Sequence, residues 1–129
     1  MLSVIVPTNR VGGLDVLLDS LSAQTERDFE LILVDSIKPW RGEIERVHRR
    51  HGWKLAWAWP FPITHIEPGA PNGPNPFPNV AYCRTVNTGI AHARGDTVVL
   101  LCDYSWLHPK CLETHAEMQR KHHAPVHLD

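Results

Sequence analysis

The stretch Ser3-Val4-Ile5-Val6-Pro7-Thr8-Asn9 reads as an apolar strand that stops at a proline and two small polar residues. Far along the chain, Gly95-Asp96-Thr97-Val98-Val99-Leu100-Leu101-Cys102-Asp103 is a second apolar strand, and it stops at a carboxylate. Between them, Phe29-Glu30-Leu31-Ile32-Leu33-Val34-Asp35 is a third apolar run that also ends in Asp. Near-continuous apolar runs of this length suit the central strands of a parallel sheet, which are buried on both faces. In an open parallel sheet the loops diverge at the carboxyl ends of the strands and open a crevice there. Polar groups at three strand tips therefore predict one binding edge.

The intervening segments supply the helices. Leu14, Leu17, Leu18 and Leu21 recur at helical spacing, which predicts an amphipathic helix from Leu14 to Gln24. A second helix is expected from Gly42 to His51, with Ile44 and Val47 facing inward and Gly52 placed to stop it. Trp53, Trp57, Trp59 and Phe61 mark apolar contact surface, and Pro62 to Ile66 is compatible with a short strand. Pro68 to Pro78 holds five prolines and two glycines in eleven residues, which excludes helix and most ladder pairing and predicts a long loop bordering the site. Val80 to Ala93 reads as a helix with Val86 and Ile90 inward; Thr97 to Cys102 is the next strand, and Pro109 opens a final helix reaching about His122. This order predicts an α/β fold, a three-layer α/β/α sandwich with a mainly parallel, Rossmann-like sheet and right-handed crossovers. At 129 residues, a single domain spanning 1–129 is expected.

Composition narrows the function classes. The formal net charge of −1 gives no overall bias toward nucleic acid or an anionic membrane. The basic run Arg46-Val47-His48-Arg49-Arg50-His51 reads as a solvated helix face. Three cysteines, Cys83, Cys102 and Cys111, without CxxC spacing, fit free thiols in a reducing compartment. No apolar run approaches the ~20 residues of a membrane helix, and Met1-Leu2-Ser3 enters a strand without a basic leader, so a cytoplasmic location is expected. The nine histidines include no metalloprotease pair; His108, His115 and His122 form a stripe of the last helix. No Gly-x-Ser-x-Gly elbow and no Walker ending are present.

Four polar positions, two at the ends of the apolar runs and two beyond them, carry candidate chemistry. Asp35 emerges on the rim, where it accepts hydrogen bonds from a base or ribose or else caps the turn through Ser36 to Pro39. Asp103 ends the strongest strand, where a carboxylate suits a hard cation or sugar hydroxyl, or a turn cap. Arg84, near the start of the helix after the proline-rich loop, and Arg10, in the loop before Gly12-Gly13, read either as diphosphate ligands or as salt-bridging arginines.

Four blocks in order, Ser3 to Asn9, Asp28 to Asp35, Asn87 to Asp96 and Leu100 to Asp103 with Pro109 beyond, resemble the N-terminal half of family 2 GT-A glycosyltransferases. The resemblance implies a nucleotide-binding α/β/α sandwich that takes a nucleoside-diphosphate sugar and transfers the sugar to an acceptor hydroxyl. By position, Pro7, Thr8 and Asn9 resemble the loop that cups the base, and Asp35 resembles the base-binding acid, with Ser36-Ile37-Lys38 in place of its usual Asp-Gly-Ser continuation. Arg84 stands near the family's diphosphate-side basic residue. Asp103 resembles the first acid of the Asp-x-Asp motif, which implies a divalent cation, Mn²⁺ or Mg²⁺; Tyr104 and Ser105 stand where the second acid is expected. Family members run much longer, so the chain is expected to be a donor-binding half that self-associates or is completed by further polypeptide. On that expectation the side beyond Asp103, at Trp106, Leu107 and Leu112, should be exposed. The alternatives are a non-catalytic nucleotide-sugar-binding module, a protein-interaction module using the aromatic surface, and a nucleotidyltransferase on a similar sheet.

Overall fold

In the computed structural model, which describes residues 1–10, 12, 14–48, 59–69 and 82–122 and, of residues 44–48, the backbone only, the apolar runs form one four-stranded parallel sheet. β1 (Leu2–Thr8), β2 (Phe29–Asp35), β3 (Ile63–Ile66) and β4 (Thr97–Leu100) lie in the order β3-β2-β1-β4. β1 pairs with β2 over its full length, Leu2 opposite Phe29 and Thr8 opposite Asp35, and with β4 from Leu2 opposite Thr97 to Ile5 opposite Leu100. Every residue of β2 is buried, as a strand covered on both faces requires.

Alternation along these strands builds two layers of core. Leu2, Val4 and Val6 of β1 and Phe29, Leu31 and Leu33 of β2 pack with Leu14, Leu17, Leu18 and Leu21 of α1 (Leu14–Ser22) and with Leu112 of α4 (Cys111–Lys121). Ile5, Ile32 and Val34 form the core of the opposite face, under α3 (Tyr82–His92). Gly12 adopts φ 85°, the left-handed region open to glycine, in the turn between β1 and α1. Phe61 is buried against Phe29 at a 5.0 Å centroid distance, with Trp59 alongside, so these aromatics serve the core beside β3 rather than a docking surface.

Several boundaries and faces differ from expectation. α2 spans Lys38–His48 and so starts four residues before the expected Gly42, because Pro39 is accommodated in the first turn, where its missing N–H costs nothing. Ile90, expected to point inward on α3, is 50% exposed, and the buried positions are Thr85 and Gly89. The reason is close packing: a Cβ at Gly89 would overlap Ile5 Cγ2, so α3 approaches the sheet through its smallest residue. Of the three residues expected to be exposed beyond Asp103, Trp106 is (66%), whereas Leu107 and Leu112 are buried, because α4 folds back onto the α1 face. The orientations of Ile44 and Val47, the helix stop at Gly52, the Trp53 and Trp57 surface and the proline-rich segment from 70 to 81 lie outside the described residues.

The Asn87 to Asp96 block is legible as packing. Besides Gly89, Arg94 pairs with the buried Glu30 at 2.8 Å, and Gly95 N donates to Ser3 Oγ at 2.8 Å, with Ser3 Oγ in turn donating to Glu30 at 2.7 Å. These bonds tie the α3–β4 connection to the starts of β1 and β2. No helix among the described residues is long and apolar enough to cross a membrane. Cys83, Cys102 and Cys111 carry free thiols.

Candidate functional site

The switch point of the sheet lies between β1 and β4, because the chain moves from β1 to β2 and β3 on one side and returns to β4 on the other. Leu101 N donates to Ile5 O at 3.0 Å, which directs Ile5 toward β4, and Thr8 O accepts from Ser36 N at 2.9 Å, which directs Thr8 toward β2. By the alternation of parallel pairing, the next bond toward β4 falls to Pro7, which has no N–H. β1 and β4 therefore separate at Pro7, and the crevice opens where the proline ends the ladder.

A polar network spans that opening. Thr8 Oγ1 donates to Asp103 Oδ2 at 2.9 Å. Arg10 grips the same carboxylate, Nη2 on Oδ1 at 2.7 Å and Nε between Oδ1 at 3.2 Å and Oδ2 at 3.0 Å. The Tyr104 ring lies under the Arg10 guanidinium, 3.7 Å from Cζ to the centroid, and holds its plane. On the β2 side, Arg41 in the first turns of α2 reaches back to Asp35 through Nε on Oδ2 and Nη2 on Oδ1 at 2.9 Å. Arg41 Nη2 also donates to Arg10 O at 3.3 Å and stands 3.5 Å from Thr8 Oγ1, which joins the two halves. His65 of β3 completes the Asp35 cluster, with Nε2 2.8 Å from Oδ2.

Asp35 has no exposed surface, and its four acceptor positions are taken by Ile37 N, the two Arg41 nitrogens and His65. It is thus a turn-capping carboxylate and an ion-pair partner at once. A ligand that contacts Asp35 directly has to displace one of these donors. Burial opposes its ionisation, but the hydrogen bonds from His65 and Arg41 and the Arg41 charge hold its carboxyl below the ordinary value. Asp103 and Glu30 are likewise lowered against burial, by Arg10 and Thr8 in one case and by Ser3 and Arg94 in the other.

The three lowered carboxyls set the acid limit of the fold. Each binds its proton more weakly in the folded than in the unfolded chain, so its contribution is fully present above the unfolded value, about 4, and is lost as pH falls through the folded value. The thermal midpoint is expected to hold down to about pH 5 and to fall steeply below about pH 4. A midpoint that stays level between pH 6 and pH 3 would contradict this.

Pro7, Thr8, Asn9, Arg10, Asp35 and Asp103 thus share one rim, with Asn9 and Arg10 exposed. Arg84 stands in the first turn of α3, on the opposite face of the sheet, with no ion pair to a described residue. The sequence gives no role to Arg41 or His65, and it marks Tyr104 only as standing where a second acid is expected. Arg41 was hidden by reading Lys38-Pro39 as a turn; the signal for His65 was a polar residue inside the short apolar strand Ile63-Thr64-His65-Ile66.

The described residues do not by themselves assemble a protein-built cation site. Among the described residues no group of three or more His, Cys, Asp or Glu side chains converges. Asp103 is a single carboxylate already paired to a guanidinium, and Tyr104 and Ser105 follow it. A cavity of about 440 Å³ opens elsewhere, at the amino ends of the strands, bordered by Met1, Glu26, Asp28, Asp96 and Arg120. The rim network is the stronger candidate because it sits at the switch point and concentrates paired, buried charge.

Comparison with known proteins agrees with this architecture. No model of a known protein family matches the chain. Over 113 residues, 86% of its length, the chain is 31% identical to an uncharacterized glycosyltransferase of Haemophilus influenzae, of which it covers 32%. Its fold superposes on S. aureus TarS with a TM-score of 0.64 at 21% identity, covering 95% of this chain and 20% of TarS. The 1–349 portion of TarS gives a TM-score of 0.62, again at 21% identity, with 33% of that portion covered. The all-parallel sheet with flanking helices is an α/β fold that matches a glycosyltransferase fold. Sequence and fold together support a glycosyltransferase domain, and the chain spans about a third of the length of the curated relative it matches.

Proposed function

We propose that the chain is the donor-binding domain of a glycosyltransferase and holds a nucleoside-diphosphate sugar in the crevice at the carboxyl ends of β1, β2 and β4. The observation that carries this reading is the network Asp35–Arg41–Thr8–Asp103–Arg10 across the switch point. Paired charges held at such an edge are pre-oriented for a ligand that is itself polar and charged. Pro7, Thr8 and Asn9 shape the wall beside the base. Asp35, saturated from within, fixes Arg41 and the His65 ring, and Arg10 presents positive charge to the diphosphate. Arg84, at the rim end of α3, is a second cation for the same group. In the parent reaction the nucleoside diphosphate leaves as an acceptor hydroxyl attacks the sugar, and cationic side chains offset the charge that develops on the leaving oxygen.

Tyr104-Ser105 in place of a second acid favours one other reading, a module that binds the nucleotide sugar without transferring it. Titration calorimetry with UDP-, GDP- and dTDP-sugars, paired with a donor-hydrolysis assay, separates the two. Binding of one base series with a micromolar to millimolar Kd is expected in either case, and turnover in the transferase alone. Failure of every donor to bind would overturn the proposal.

A further inference from the structure

Asp103 is 4% exposed, and each of its oxygens is already met by donors: Oδ1 by Arg10 Nη2 and Nε, Oδ2 by Arg10 Nε and Thr8 Oγ1. A carboxylate offers about four acceptor positions. A divalent cation arriving here would have to break a two-point ion pair and then sit beside the guanidinium it displaced. No second carboxylate follows to repay that cost. Tyr104, next in sequence, stacks on the guanidinium instead.

The same contacts orient Arg10 outward. Nε and Nη2 are spent on Asp103, while Nη1, on the far edge of the guanidinium, bonds to no described residue, and the side chain is 52% exposed. A planar fork on a half-exposed side chain, with one edge anchored on Asp103 and the other unbonded to the described residues, matches the oxygens of a diphosphate, which arginine binds through paired N–H donors. We propose that Arg10 receives the diphosphate of the nucleotide donor in place of a protein-bound divalent cation, with Asp103 and Tyr104 as its positioning residues. The inference rests on the donor-binding reading and adds to it the means of charge neutralisation.

Calorimetric titration of the full chain with uridine, guanosine and thymidine and with their 5′-diphosphates, each in EDTA and in Mn²⁺, tests it. In the binding series, the diphosphate should bind more tightly than its nucleoside in EDTA, and Mn²⁺ should change the diphosphate Kd by less than about twofold. Arg10→Ala should weaken the diphosphate by about tenfold or more, the range for losing a charged hydrogen-bond partner, and leave the nucleoside unchanged. Arg10→Lys should recover part of the loss. Mn²⁺ should then partly rescue Arg10→Ala, in which Asp103 is uncovered, and not Arg10→Ala/Asp103→Asn. Arg10→Gln gives the same diphosphate reading should Arg10→Ala fail to fold. Diphosphate binding that requires Mn²⁺ in the unaltered chain, or that ignores every Arg10 substitution, would overturn the inference and leave the donor-binding reading intact. No binding by any nucleoside or diphosphate would overturn both.

Discussion

Asp35→Ala is expected to lower stability by about 3–5 kcal/mol, the range for removing one partner of a buried ion pair. The carboxylate has no exposed surface, and its loss strands an Arg41 side chain that is only 4% exposed, frees His65 and removes the acceptor for Ile37 N. The buried guanidinium would lose the carboxylate that it grips at two points, and removing one partner of a buried pair costs more than the pair contributes when intact. In urea unfolding this appears as a lower midpoint, and in thermal unfolding as a drop on the order of 10 °C. Arg10→Ala, which breaks a half-exposed pair, should cost far less. If Asp35→Ala lost under about 1 kcal/mol, the buried network would not be the scaffold of the rim.

The second large effect is expected at Gly89. A Cβ there would overlap Ile5 Cγ2 and press on Val34 Cγ2, so Gly89→Val forces α3 off the sheet at the centre of the core. Overpacking of this kind costs about 1–3 kcal/mol and more where backbone must move. Gly42 is the control, since nothing lies within 4 Å of a Cβ built there. Gly42→Ala should stabilise α2 by about 0.5–1 kcal/mol through helix propensity alone. Urea unfolding of the two variants side by side checks both signs, and a neutral Gly89→Val would contradict the packing described for α3.

Both variants probe features that differed in legibility. The strands were readable because a buried parallel strand must be apolar throughout, and the placement of Thr8, Asp35 and Asp103 on one rim followed from strand direction. Glu30 was visible as an acid inside an apolar strand, but its partner Arg94 lies 64 positions away and is brought to it only by the α3–β4 connection. Lys38-Pro39 reads in the sequence as part of a turn, which hides Arg41, whereas Pro39 stands in the first turn of a helix. Helical periodicity points Ile90 inward because it does not show that the contact face of α3 is set by Gly89 and Thr85, the small residues, rather than by the large ones. Tyr104 carried no signal beyond the absence of an acid; its stacking under Arg10 depends on the loop after β4.

The rim assignment is tested most directly by amide chemical-shift mapping of the chain with the nucleotide diphosphate that binds it. Shifts are predicted for Thr8, Asn9, Arg10, Ile37, Asp103 and Tyr104, at the carboxyl ends of the strands. Asp28, Asp96 and Arg120, at the cavity on the amino ends, should stay in place. Shifts confined to that second group, with the rim unchanged, would contradict the account.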